Sequence, residues 1–467
     1  MRDKDLVLKG PIGRALLSLA GPVIAGEALH TAFHIVDLFW VRALGPWATA
    51  AITTSMFTLW IAFSLANLAI TGLGAHVSRA IGAGDRERAG HVVAQAFWLC
   101  LLLSIPVMTL GAVGAGALYR LVGTDPQVSA AGASYLRIIA LGMPFTFLYL
   151  TAGAVMRACG NTRTPMKITS ACVVVNAVLA PFLVYGVGPL PALGVAGSAV
   201  ATVASIGLAV VIYAVLVRRG HPDLPVRAAS LVRLDRDMLM SLVRVGAPYC
   251  AVGTLFSAVY LWYAHLASAF GEASLAILGI GNRLESITYL TADGFAVASS
   301  TFVGQNLGAG DPARAERGAW RAARIMSVIG AGLGLIFLLA PAPLLMVFTT
   351  DAEALRIGIP YLRILALCQV FTGLEGAIGG GFAGAGNTVP PMIVHVAFAV
   401  ARVPLAWWAV SSLGLGVFGI AWTMTLTCIV RASVLAWWFR RGEWKTQELP
   451  GARRPLPPAE EPEPTGV

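Results

Sequence analysis

Apolar residues run through the chain in long blocks, separated by short clusters of charged residues, glycine and proline. The blocks lie near 14–41, 48–78, 92–118, 132–158, 165–187 and 193–218, then near 239–268, 274–304, 318–345, 358–384, 390–412 and 416–439. Each is long enough to cross a bilayer, which takes about 20 helical residues. They are too long for barrel strands and lack strict alternation, so helices are required. The predicted fold class is all-α integral membrane, with twelve transmembrane helices.

Arginine and lysine fall on alternate connections. One set holds Arg2, Lys4, Lys9 and Arg14, then Arg79, Arg86 and Arg88, then Arg157, Arg163 and Lys167, and later Arg314, Arg317, Arg321 and Arg324. The opposite connections hold only Arg42, Arg120 and Arg356, beside Asp125, Glu272, Asp351 and Glu353. Basic residues mark the cytoplasmic side, so both termini are expected there. Met1 to Arg14 has no small-residue cleavage site after a short apolar run and reads as the start of an uncleaved first helix.

The two halves repeat. Pro22 matches Pro248, Gly82-Ala83-Gly84-Asp85 matches Gly308-Ala309-Gly310-Asp311, and Thr124-Asp125 matches Thr350-Asp351. Tyr135-Leu136-Arg137-Ile138 matches Tyr361-Leu362-Arg363-Ile364, and Gly160-Asn161-Thr162 matches Gly386-Asn387-Thr388. Every pair is 226 positions apart, as 22 is from 248. One gapless register held so far indicates a duplicated six-span unit. Because six is even, the copies enter the membrane from the same side and relate by a pseudo-two-fold axis along its normal. The expected organisation is a cytoplasmic segment 1–13, an N-lobe 14–218, a cytoplasmic linker 219–238, a C-lobe 239–439 and a disordered cytoplasmic tail 440–467.

Composition narrows the function classes. Of 467 residues, 57% are hydrophobic and 12% charged, where a soluble domain carries about 25% charged. Twelve spans leave no room for a separate soluble catalytic domain, and no Walker-type loop is present, so an enzyme is not expected. The net charge of +10 is spread beside apolar blocks rather than gathered with aromatics, which argues against nucleic acid. Cys100, Cys159, Cys172, Cys250, Cys368 and Cys428 form no CxxC pair, so neither a disulfide framework nor a metal site follows.

Several motifs together resemble the multidrug and toxic compound extrusion (MATE) family. They are Gly21-Pro22 with Asp37 in the first span, the Gly-Ala-Gly-Asp turns after spans two and eight, and the Gly-Asn-Thr turns followed by Pro165 and Pro391. Asn176 to Pro181 in span five and Arg402-Val403-Pro404 in span eleven look closest to the DinF-like branch. The resemblance implies cation-coupled export of bulky cationic or amphipathic compounds through a cavity between two six-helix lobes, in a bacterial-type plasma membrane. It departs from the DinF-like pattern at Ala180, where that branch often has an aspartate. Phe256 and Thr372 stand near the positions where the sodium-linked NorM-like branch has acids.

An ionisable residue inside a span is costly and therefore a functional candidate. Glu27, His30, His34 and Asp37 form one stripe on the first span. Histidine titrates near neutrality and a desolvated carboxylate gives up its charge readily, so such a stripe can pass a proton. Asp37, Glu27, His34 and Asn176 are the candidate cation-coupling residues. His30 and His34 equally fit histidines hydrogen-bonded between helices. Asn282, Glu285, Tyr289 and Asp293 form a second stripe on span eight, read either as a cavity lining or as a hydrogen-bond network. With His30, Tyr260, Tyr263 and Glu375 they complete the candidate substrate cavity, although Arg402 is a possible ion-pair partner that would make Glu375 structural. Pro22 and Pro248 each remove a helical hydrogen bond and are candidate hinges. The Gly-Ala-Gly-Asp turns read as helix caps, and Gly376, Gly380 and Gly384 as close helix packing.

The sequence thus predicts a monomeric antiporter exporting organic cations, drugs or amphipathic toxins, with a proton preferred over sodium because Ala180 removes one oxygen ligand. No cofactor beyond the coupling ion is expected; partners are small organic molecules and membrane lipids. The alternative within the same superfamily is a flippase for lipid-linked oligosaccharide or other lipid precursors, and a channel or membrane scaffold is a third class.

Overall fold

The computed structural model describes residues 3–186, 191–225 and 234–449. Among these residues there is no strand. In chain order the helices are α1 (Asp3–Lys9), α2 (Ile12–Val41), α3 (Pro46–Gly82), α4 (Arg86–Val122), α5 (Pro126–Leu141), α6 (Met143–Ala158), α7 (Arg163–Tyr185) and α8 (Val195–Arg218). The second half supplies α9 (Arg236–Ser268), α10 (Glu272–Gly308), α11 (Pro312–Leu339), α12 (Pro341–Met346), α13 (Ala352–Ala366), α14 (Gln369–Ala385), α15 (Val389–Ser411) and α16 (Val417–Arg440).

Nine helices are long and apolar enough to cross a membrane, and two bent pairs, α5 with α6 and α13 with α14, each qualify as one span. The twelfth span is α10, whose 37 residues include Arg283, Glu285 and Asp293. Leu110, Val113, Leu261 and Val328 are more than 70% exposed, as a lipid-facing surface requires. The chain is therefore a multi-pass integral membrane protein of two six-span lobes.

The repeated motifs are helix boundaries. Asp85 accepts a hydrogen bond from the Arg88 amide at 2.9 Å and Asp311 from the Arg314 amide at 2.7 Å, each satisfying a free donor at the start of a helix. The glycines before them, Gly84 and Gly310, have φ of 78° and 79°, a left-handed geometry suited to glycine. Asp125 and Asp351 cap α5 and α13 in the same way.

Spans four and ten, expected as single helices, are bent by 51° and 46°. The breaks fall at Gly142 and at Leu367-Cys368, at matching register in the two halves. Gly142 lies so close to Val203 that a Cβ there would meet its side chain, and Pro144 opens the following helix. In contrast, α2 and α9 run unbroken through Pro22 and Pro248.

The lobes exchange the first halves of spans one and seven. Leu16, Leu19 and Ala20 of α2 pack into a core built by α10, α11, α14 and α16, whereas Phe33 and Val41 join the N-lobe core. Reciprocally, Met238 and Leu242 of α9 join the N-lobe core, whereas Val259, Tyr263 and Ala267 join the C-lobe core. Glycines permit the crossing: Gly246 meets the Leu68 backbone, and Gly294 meets Ile24 and the Ala20 carbonyl.

A tight seam closes the lobes on the face that carries the basic connections. Gly82 abuts the Gln305 backbone and Gly308 abuts the Arg79 backbone. Gln305 Nε2 donates to the Ala158 carbonyl at 2.8 Å, Thr301 Oγ1 to the Arg157 carbonyl at 3.1 Å, and Arg79 to the Ala385 carbonyl at 2.8 Å. The expected disordered tail is ordered as far as Leu449. Trp444 is fully buried and stacks on Phe439 at 4.4 Å, Lys445 pairs with Glu316 at 2.7 Å, and Leu449 is buried against Ala75 and Val245. These anchors bind an otherwise polar stretch; residues 450–467, and 226–233 of the linker, lie outside the described residues. Asp235 caps α9, and the Met238 amide followed by His91 hold its carboxyl below the usual range.

Candidate functional site

The crossing of α2 places its polar stripe between two cavities. A cavity of about 500 Å³ separates the lobes; Glu27, His30, Asn67, Arg157 and Asp293 are among its polar wall residues, with Tyr149, Tyr213 and Tyr249 as aromatic walls. A smaller cavity of about 50 Å³ lies inside the N-lobe, against His30, His34, Asp37, Tyr135 and Tyr149. His30 borders both, and its ring stands edge-on to His34 at 5.1 Å between centroids. His30 and His34 therefore stand between the inter-lobe space and the small cavity that Asp37 lines.

Asp37 is 2% exposed. Its Oδ1 accepts from Asn176 Nδ2 at 3.2 Å and Ser198 Oγ at 3.1 Å, and its Oδ2 from Thr202 Oγ1 at 3.0 Å. A buried carboxylate needs such donors. Asn176 also donates to Thr202 at 3.3 Å, while its own Oδ1 is buried without a hydrogen-bond partner among the described residues. Ser198 and Thr202 were not singled out in the sequence. They sit four apart on one face of α8 in a largely apolar segment, and only the packing of that face against Asn176 of α7 marks them.

The second lobe does not repeat this site. At the matching register, Tyr263 stands for Asp37, Arg402 for Asn176 and Cys428 for Thr202. Arg402 donates to Thr427 at 2.8 Å rather than pairing with Glu375. Glu375 instead accepts from Arg431 Nε at 2.9 Å and lies 2.7 Å from Arg431 Nη2 and 2.6 Å from His395 Nε2. The expected pairing fails because Arg402, two turns beyond His395 on α15, reaches Thr427 on α16, while His395 takes the place beside Glu375.

The remaining candidates divide. Glu27 and His30 line the large cavity, and Asp293 is exposed into it. Tyr260, Tyr263, Glu285, Tyr289 and Glu375, expected on its wall, are absent from it. Tyr263 is fully buried in the C-lobe core and Tyr260 packs at its edge, 6.2 Å away between rings. Glu285 is buried beside Gln369 at 3.4 Å and Cys368 at 3.8 Å. Tyr260 and Tyr263 lie on the half of α9, and Glu285 and Tyr289 on the half of α10, that packs in the C-lobe core, whereas Glu375 lies on α14. Among the described residues no cluster of histidine, cysteine and carboxylates fit to hold a metal is present.

The MatE family model matches residues 22–182 and again 248–408, one match per lobe at the repeat register. The chain is 26% identical over 442 residues to the probable multidrug resistance protein NorM of Thermotoga maritima, covering 94% of each chain. It is 28% identical over 372 residues to the FAD transporter of Shewanella oneidensis, covering 78% of this chain and 80% of that one. A solved outward-facing multidrug resistance MATE transporter superimposes with a TM-score of 0.88 at 22% identity, covering 96% of this chain and 99% of that one.

Proposed function

The chain belongs to the MatE family, and from that premise we propose that it is a proton-driven antiporter that exports organic cations and amphipathic drugs. Both termini are cytoplasmic in this reading, the protein works as a monomer in a bacterial-type inner membrane, and the closed seam on the basic face makes this the outward-facing state. One observation carries the proposal: a buried carboxylate, Asp37, reached from the inter-lobe cavity through His30 and His34. A proton entering from outside reaches Asp37 Oδ2. That oxygen then donates to Thr202 instead of accepting from it, and the Asp37 charge is removed. Neutralising the stripe weakens the hold on a cationic substrate, which leaves to the outside. Loss of the proton on the inner side restores the negative site for the next substrate.

Glu27 and Asp293 face the cavity from helices α2 and α10, against one guanidinium, Arg157. This balance favours a cation over the pyrophosphate of a lipid precursor, so the flippase remains the weaker reading. Glu27→Gln with Asp293→Asn is expected to raise KM for a monovalent lipophilic cation such as ethidium by about 10-fold or more, the equivalent of about 1.4 kcal/mol. A neutral amphipathic substrate should be unaffected. An unchanged KM for ethidium counts against the cavity acids.

Sodium is the second reading, favoured by the unpartnered Asn176 Oδ1, which with Asp37, Ser198 and Thr202 offers oxygens for a hard cation. Ethidium transport in proteoliposomes, with a pH gradient and a sodium gradient imposed separately, decides between them. Transport driven only by sodium overturns the proton reading, and transport under neither gradient overturns the antiporter.

A further inference from the structure

His395 lies on α15, away from the Asp37 site, and both of its ring nitrogens face acceptors. Nδ1 is 2.7 Å from the Pro391 carbonyl and Nε2 is 2.6 Å from Glu375 Oε1. A carbonyl and a carboxylate both accept, so each nitrogen must bring a hydrogen. Arg431 donates to the other oxygen of Glu375, which keeps that carboxylate ionised. The ring is therefore an imidazolium, and the buried cluster of Arg431, His395 and Glu375 carries one positive charge more than it needs for neutrality. Burial makes such an excess costly.

Among the charged groups around it, Glu285 and Arg402 both reach Tyr289 and offset one another, while Asp293 reaches Tyr249 from the inter-lobe cavity, where a bound cation takes up its charge. Tyr249 on α9 and Cys428 on α16 are within electrostatic reach of Glu375, and Tyr289 on α10 of Arg431; all are neutral in their ordinary forms. The His395 side chain remains 21% exposed. Its repeat partner in the N-lobe is Thr169 and that of Glu375 is Tyr149; these two are also hydrogen-bonded, at 2.7 Å, and both line the inter-lobe cavity. The duplication has thus put an ionisable pair where the N-lobe has two hydroxyls, and two non-carboxylates where the N-lobe has Asp37 and Asn176.

We propose that His395, positioned by Glu375 and Arg431, is a second proton-exchange residue of the transporter, located in the C-lobe. Its proton is held in the empty outward-facing state and is released when a cationic substrate occupies the cavity and repels the excess charge. On release, one nitrogen is left with a lone pair toward an acceptor, so the ring must turn from either Pro391 or Glu375. The ring therefore moves relative to the first turns of α15, whose capping residue Thr388 donates to Val245 at the inter-lobe seam. The inference rests on the proton-coupled reading.

The test counts protons released on binding of tetraphenylphosphonium to the purified full chain in weakly buffered detergent, paired with pH-gradient-driven uptake in proteoliposomes. His395→Gln keeps an amide donor toward Glu375, and His395→Asn is the second variant should the first not accumulate. One proton fewer per bound cation in either variant, with pH-gradient-driven transport retained at a lower proton-to-substrate ratio, is the expected result. An unchanged proton count in a folded variant, with wild-type transport driven by the pH gradient, overturns the inference and leaves the antiporter reading intact. Wild-type transport driven by sodium alone, with no protons released on binding, overturns both.

Discussion

Asp37→Asn is expected to reach the membrane at the wild-type level and to lose gradient-driven efflux, with the rate falling by ~100-fold or more, the lower range for a positioned proton-transfer group. Asparagine has the shape of aspartate, and its Oδ1 accepts from Asn176 and Ser198 as the carboxylate does. Its Nδ2 meets the Thr202 hydroxyl, which rotates to accept. The site therefore stays hydrogen-bonded and the fold is kept. What is lost is the only atom pair there that changes charge when a proton or sodium ion arrives. Ethidium efflux from cells, normalised to the amount of protein in the membrane, measures the effect; efflux at the wild-type rate would remove Asp37 from the coupling step. Binding of ethidium to the purified variant should weaken, as it does when Asp37 takes up a proton, but not vanish, because Glu27 and Asp293 on the cavity wall are untouched.

Much of this architecture was legible because duplication writes the same signal twice. The register linking Pro22 to Pro248 and Gly82 to Gly308 predicted two six-span units, and its Asp-terminated turns predicted helix starts that the structure contains. The breaks in spans four and ten were not legible. Their apolar pattern continues through Gly142 and Cys368, and the close approach of Gly142 to Val203 on another helix cannot be read from the pattern along one helix. Tyr260 and Tyr263 lie off the cavity wall for a related reason. Periodicity tells which residues share a face, but α2 and α9 change lobes at their midpoints, so a face that borders the cavity in one half enters a core in the other.

The polar partners show the same limit from the other side. Asp37 and Asn176 stood out as polar residues in apolar spans, yet Ser198 and Thr202 did not, because hydroxyls are cheap inside a helix where they can bond to their own backbone. His395 and Arg431 were visible as ionisable residues within spans and deserved the default suspicion such residues carry. Only their convergence on Glu375 gives them a shared role, and that convergence depends on how three successive helices, α14, α15 and α16, pack together. Lone polar residues are thus found by their cost, while their partners are found only by geometry.

The seam supplies the second large effect. Gly82→Leu combined with Gly308→Leu is expected to hold the lobes apart on the basic face and to abolish transport while the protein still folds. A Cβ at either position would run into backbone, of Gln305 at one and of Arg79 at the other, and backbone cannot rotate away as a side chain can. Overpacking of this kind costs about 1 to 3 kcal/mol per site. The only way to relieve it without unfolding a lobe is to separate the lobes, since each lobe has its own apolar core. At about 1.4 kcal/mol per tenfold change, two such sites shift the balance between closed and open seam by about 100-fold. Separation also severs the bonds from Gln305 to Ala158 and from Arg79 to Ala385, which adds to the shift. Spin labels at the two basic ends, on Arg86 and Pro312, should report longer distances in the variant than in the wild type. Gly114→Leu, where a Cβ meets nothing within 4 Å, serves as the control and should leave both distance and transport unchanged. A double variant with the wild-type distance would mean that the seam absorbs the added carbons, and that its glycines are not what brings the lobes together.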